Sequence, residues 1–142
     1  MAFSAATDNA VMKLIFNATA WANFADNAAS APLTNLYMGL HTADPSAGTQ
    51  STSEAVYTGY ARAAVARSAA GFTVSGGSAV LASNIDFPAG TGGTDSITYF
   101  SIGVAGTGAT GLVLSGAVTP SPLTTGSGIT PRLTTSTTLT LA

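Results

Sequence analysis

Charge is scarce in this chain. Only 7% of its 142 residues are Asp, Glu, Lys or Arg, against roughly 25% in an ordinary soluble domain. The four cations, Lys13, Arg62, Arg67 and Arg132, are scattered. They cannot supply the basic footprint that counterion release requires, which excludes a nucleic-acid binder. A 46% share of hydrophobic residues with a net charge of −2 also argues against simple disorder. There is no cysteine, so disulfides and thiolate chemistry are excluded and nothing follows about compartment. His41 is the single histidine, which rules out a multi-histidine metal site. Asp8, Asp26, Asp44, Glu54, Asp86 and Asp95 lie apart, without the D-x-D clustering of a calcium loop. No cofactor is expected. Long apolar runs are missing too: VMKLIF is far too short to span a membrane and carries Lys13. No basic segment precedes an apolar core, so no secretory leader is expected, and the sequon Asn17-Ala18-Thr19 is read as chance.

What remains is alanine, glycine and small polar residues. A surface of Ser, Thr, Asn and Gly is cheap to desolvate, because no ions need be stripped of water. Such a surface suits a protein packed against others, although a biased monomeric domain has the same composition. The length fits one structural domain with a core of its own. Within it, residues 1–35 read as an N-terminal helix and connecting arm and residues 36–142 as a β domain.

Residues 4 to 17 predict the helix. Val11, Leu14 and Ile15 share a face, with Met12 and Phe16 widening the stripe. Thr7 or Asp8 is the expected cap and Asn17 the expected end. Trp21 and Phe24, three apart among alanines, allow a second short helix. They would tether the arm to the domain or reach a neighbouring subunit. Beyond residue 36 short β segments follow, at 36–41, 57–67, 71–75, 79–82, 85–87, 96–104, 112–118, 129–133 and 137–141. Gly- and Ser-rich punctuation separates them. The spacing predicts a mainly β fold, a jelly-roll-like or sandwich antiparallel β domain with an N-terminal helix. Leu36, Met38 and Leu40 alternate with Tyr37, Gly39 and His41, the period of a half-buried strand. Ser96–Val104 carries apolar groups on both faces and is the expected central strand.

The chemistry-bearing groups concentrate in residues 36–67, LYMGLHTADPSAGTQSTSEAVYTGYARAAVAR, with the histidine, two of the three arginines and three of the four tyrosines. His41 lies near the Asp44-Pro45 turn, so an Asp44–His41 base with a recruited Ser or Thr is conceivable. The chain has no G-x-S-x-G elbow, and no enzyme is expected. Gly106-Thr107-Gly108-Ala109-Thr110-Gly111 matches G-x-G-x-x-G, but LVLSG follows it, a strand where a phosphate-binding motif needs a helix. It reads as a hairpin loop. Arg62 and Arg67, five apart, face opposite sides of a regular strand. Either serves solubility or makes a bidentate contact to a partner's carboxylate or carbonyl; Glu54, Asp86 and Asp95 are the acceptors at home.

LHTADPSAGTQ followed by YTGYARAAVAR resembles a family of small virion proteins of tailed bacteriophages, variously labelled capsid cement (decoration) or tail-fibre-like. The likeness continues through Gly71–Gly76, the FPAGTGG segment at 87–93 and Gly128-Ile129-Thr130-Pro131. It implies a structural protein of the virion, made in the bacterial host cytoplasm. The expectation drawn from it is a cement subunit on the outer surface of the capsid shell. The partners would be the major capsid protein and a second copy of itself as a homodimer, with neither nucleic acid nor membrane. The alternative is a tail-associated, fibre-like β module that binds a host glycan or another tail protein, with Tyr37, Tyr57, Tyr60 and Tyr99 as sugar platforms. Trp21, Phe24, Tyr60, Arg62 and Arg67 are the candidate protein–protein interface.

Overall fold

The computed structural model describes residues 4–21 and 32–140. Among the described residues one helix, α1 (Ala5–Asn17), precedes eleven short strands. They are β1 (Asn35–His41), β2 (Ala63–Ala66), β3 (Phe72–Ser75), β4 (Ser78–Leu81), β5 (Ile85–Asp86), β6 (Ser96–Ile97), β7 (Tyr99–Gly103), β8 (Leu112–Ala117), β9 (Leu123–Thr124), β10 (Arg132–Leu133) and β11 (Thr138–Thr140). The fold is therefore mainly β, with antiparallel sheets and an N-terminal helix, as the sequence predicts. No helix among the described residues is long and apolar enough to cross a membrane.

The chain forms two compact units. The first comprises 1–35, 66–83 and 134–142; the second comprises 36–65 and 84–133. In the first, α1 packs on β3 and β4 of a three-stranded sheet ordered β11-β4-β3. Ser4, not Thr7 or Asp8, caps the helix: its Oγ accepts the Thr7 N–H at 3.3 Å. The helix ends at Asn17 as expected, and Ala18 closes it in a left-handed conformation. The buried line is Met12 and Phe16, while Val11, Leu14 and Ile15 are only half-buried. The sheet decides this. Phe72 of β3 meets Phe16 ring to ring at 4.9 Å and draws that side of the helix inward.

The second unit holds a four-stranded sheet ordered β2-β1-β7-β8, with the two-stranded pairs β5–β10 and β6–β9. β7 is internal, matching the expected central strand. The run 96–104 is nonetheless two strands. Ile97 pairs with Leu123 of β9, and from Tyr99 on the chain pairs with β1 and β8. Of the predicted strand 57–67 only 63–66 forms. The Asp95 carboxylate takes the N–H groups of Val56 and Tyr57, both at 2.8 Å, and a Tyr57–Tyr60 turn follows. β9 went unpredicted, because two residues carry no periodicity.

β1 departs most instructively from expectation. Leu36, Met38 and Leu40 are buried as predicted, but Gly39 and His41 on the opposite face are buried as well. The face expected to be wet is covered by polar side chains from the loop that follows.

Candidate functional site

That covering loop is where the titratable and hydrogen-bonding groups of the second unit gather. Gly39 makes the room. A Cβ there would lie 3.0 Å from Ser101 Oγ, 3.1 Å from His41 Nε2 and 3.3 Å from the Tyr60 hydroxyl. His41 is wholly buried and sits between Thr52 O (2.8 Å, to Nδ1) and Ser101 Oγ (2.7 Å, to Nε2). A carbonyl can only accept, so Nδ1 carries the proton and Nε2 accepts from the serine hydroxyl. The ring is neutral, and burial lowers its pKa, partly opposed by the bond to Thr52 and the charge of Glu54. Asp44 is not its partner. The Asp44 carboxylate accepts from the Ser46 N–H and the Ser115 hydroxyl instead. His41 and Ser101 bring together the atoms of a base and a nucleophile. Both residues are sealed at 0% exposure, so no substrate can reach them.

Arg62 lies beside this pair and anchors the loop. Its Nε and Nη2 clasp Glu54 at 2.6 and 2.7 Å, the bidentate geometry a guanidinium favours. Nη1 donates to Ala105 O (3.0 Å), and Nη2 also reaches Gly108 O (3.0 Å) and Ser51 Oγ (3.2 Å). The side chain is 2% exposed. The Tyr60 hydroxyl donates to Glu54 Oε1 at 2.9 Å and accepts the Leu40 N–H at 3.1 Å. Burial first, and then the Glu54 charge, push the phenol far above its usual range, so it stays a donor.

Gln50, also at 0% exposure, plugs the β7–β8 connection. Its Oε1 accepts from Val104 N (3.1 Å), Ala105 N (3.1 Å) and Thr110 Oγ1 (2.8 Å), and its Nε2 donates to Ala105 O (3.2 Å). Gly103 is what lets it in, since a Cβ there would overlap the amide at 1.9 Å. Gly106-Thr107-Gly108 thus belongs to a β7–β8 hairpin connection, as the following strand implies.

Between this connection and the Glu54–Arg62 segment lies an open cleft of about 270 Å³, lined by Glu54, Tyr60, Ala61, Arg62 and Gly106 to Gly108. Among the described residues no three of His, Asp and Glu converge on a point where a metal ion would sit.

Tyr60 and Arg62 of the candidate interface are thus brought together with Glu54. Arg67 lies in the first unit, where its Nε and Nη2 donate to Ile15 O and Leu14 O, both at 2.6 Å. It supplies the C-terminal charge that α1 lacks in its own last turn. Trp21 is half-buried; Phe24 lies outside the described residues. None of the four tyrosines is exposed. Tyr57 donates to Pro88 O at 2.9 Å, stands edge-on to Tyr60, and Tyr60 stacks on Phe87. Gln50 and Ser101 escaped the sequence reading, since an isolated Gln or Ser carries no spacing signal.

The residues that carry the family likeness, LHTADPSAGTQ and YTGYAR, are therefore engaged in holding the fold. A search for similar curated proteins finds no match. The family described as podophage GP4 fiber I protein gp80 matches residues 2–139, and the chain belongs to that family of phage structural proteins.

Proposed function

We propose that the protein is a structural component of the virion's tail-fibre apparatus, a small β module that binds another tail protein. The observation that carries this reading is the match to a fiber protein family over residues 2–139. The scarcity of charge supports it, because burying such a surface strips few ions of water. Of the two partners a fibre-like module could take, a protein is favoured over a host glycan. Sugar recognition leans on exposed aromatic faces, whereas Tyr57 is buried and Tyr37, Tyr60 and Tyr99 are half-buried. The reading of a cement subunit on the capsid shell is the competitor, and copy number separates the two. Quantitative mass spectrometry of intact virions and of tailless heads tests the proposal. A low copy number lost together with the tails is the expected result. Hundreds of copies retained on tailless heads would overturn it in favour of cement.

A further inference from the structure

The two ends of the four-stranded sheet are built differently. β2 is four residues long, Ala63–Ala66, and lies between Arg62 and Arg67. β8 is six residues long, Leu112–Ala117, and no charged residue occurs between Asp95 and Arg132. Exposed sheet edges are normally blunted by shortness, charge or proline. β2 follows that rule; β8 has no charge or proline of its own and is interrupted only by a bulge at Val113, which is 37% exposed.

The hydrogen bonds show which groups of β8 are left over. Val118 N donates to Thr98 O at 3.0 Å, and the register then runs Tyr99 to Ala117, Phe100 to Gly116 and Ser101 to Ser115. Bonding alternates along an antiparallel ladder. Gly116, like Val118, therefore turns its N–H and C=O toward β7, while Ser115 and Ala117 turn theirs away from it. Val113 is the residue skipped by the register shift at Ile102/Gly103.

We propose that β8 pairs antiparallel with β8 of a second copy of the chain, about a two-fold axis at Ser115. In such a pair, opposed residues must present the same kind of backbone edge, so the axis falls on a residue and not between two. Placing it at Ser115 lets the two Ser115 residues exchange both backbone hydrogen bonds. It sets Leu114 against Gly116 and Val113 against Ala117, a bulky residue against a small one each time. That match is to the strand's own sequence, which selects a second copy over an unrelated edge. Phe100 already covers Gly116 from within, since a Cβ there would lie 2.9 Å from its ring. One charge touches the strand: the Asp44 carboxylate, held on the Ser115 hydroxyl at 3.1 Å. The axis brings two copies of it close, so like-charge repulsion limits the affinity. The proposal stands for either virion location.

Sedimentation velocity of the full chain over a range of concentrations tests it, combined with amide hydrogen exchange. The expected result is a concentration-dependent dimer in which the Ser115 and Ala117 amides gain protection as concentration rises. Val113→Lys should weaken association at least about tenfold, as edge lysines do. Asp44→Asn, which keeps the acceptor for Ser115, should tighten it. A monomer at every concentration would overturn the proposal. So would a dimer that leaves the Ser115 and Ala117 amides exchanging as in the monomer, or one that a folded Val113→Lys variant forms equally well.

Discussion

The two units solve the problem of a low-charge chain in different ways. Among the described residues, the fully buried side chains of the first are apolar: Met12, Phe16, Phe72, Ala79, Leu81 and Leu139. The second buries aliphatic and aromatic side chains too, but the buried polar residues among those described, His41, Gln50, Ser101 and Thr125, belong to it. A helix on a three-stranded sheet satisfies most of its backbone by regular pairing, and Arg67 takes two of the carbonyls left over at the end of α1. The second carries long irregular connections, whose backbone groups must find partners one at a time. Gln50, Asp95, Arg62 and His41 supply them: each bonds main-chain atoms of a connecting segment. The difference teaches that scarce polar side chains in such a chain go to backbone groups that regular pairing leaves over, at one helix end in the first unit and along the loops in the second.

This contrast can be tested at both ends. In the first unit, Phe16→Ala should destabilise by about 3–5 kcal/mol, through lost burial and the cavity left beside Phe72. In the second, Arg62→Ala should cost about 3 kcal/mol, since it strands Glu54 and frees two carbonyls at the edge of the cleft. Urea midpoints measure both, and an Arg62 variant costing under about 1 kcal/mol would break the distinction. Gln50→Met keeps most of the volume and removes the hydrogen bonds. It should cost about 1–3 kcal/mol by orphaning the Val104 and Ala105 amides, whereas a volume-conserving swap in the first unit should cost less.

The pH dependence comes next in size. His41 has its pKa lowered in the fold by burial. As pH falls below about 6.5, the unfolded chain takes up a proton that the folded chain refuses, so stability is full above that value and declines below it. The slope is at most about 1.4 kcal/mol per pH unit, and it ends at the lowered pKa. Thermal unfolding between pH 7 and 5 should show this decline, and His41→Gln should flatten it. The smallest effect belongs to the other arginine–carboxylate pair of the same unit, Arg132 with Asp86, about half exposed on both sides. Arg132→Gln should leave the urea midpoint almost unchanged, because water screens an exposed ion pair.

Much of the framework could be read from the residues. α1 and the strand positions of β1, β3, β4, β7, β8 and β11 follow from spacing, because apolar periodicity reports which face of an element is dry. The buried side of α1 was shifted only by the reach of Phe72. The site was legible as a region and not as an arrangement. The density of His, Tyr, Glu and Arg in 36–67 marked it, and Glu54 stood among the acceptors open to Arg62. Ser101, 60 residues from His41, and Ala105, 55 residues from Gln50, join the site through partners no local pattern names.

The sequence by itself determined the class of protein: alternating segments for antiparallel sheets, and a match over residues 2–139 to a family of phage structural proteins. Tertiary structure alone decided what the residues carrying the family likeness are for. Strand pairing set β1 between β2 and β7 and laid the 42–62 loop over its second face. A face that periodicity marks as wet becomes a buried polar one. Periodicity records the polarity of a side chain, but only the folded chain determines whether water or another segment satisfies it.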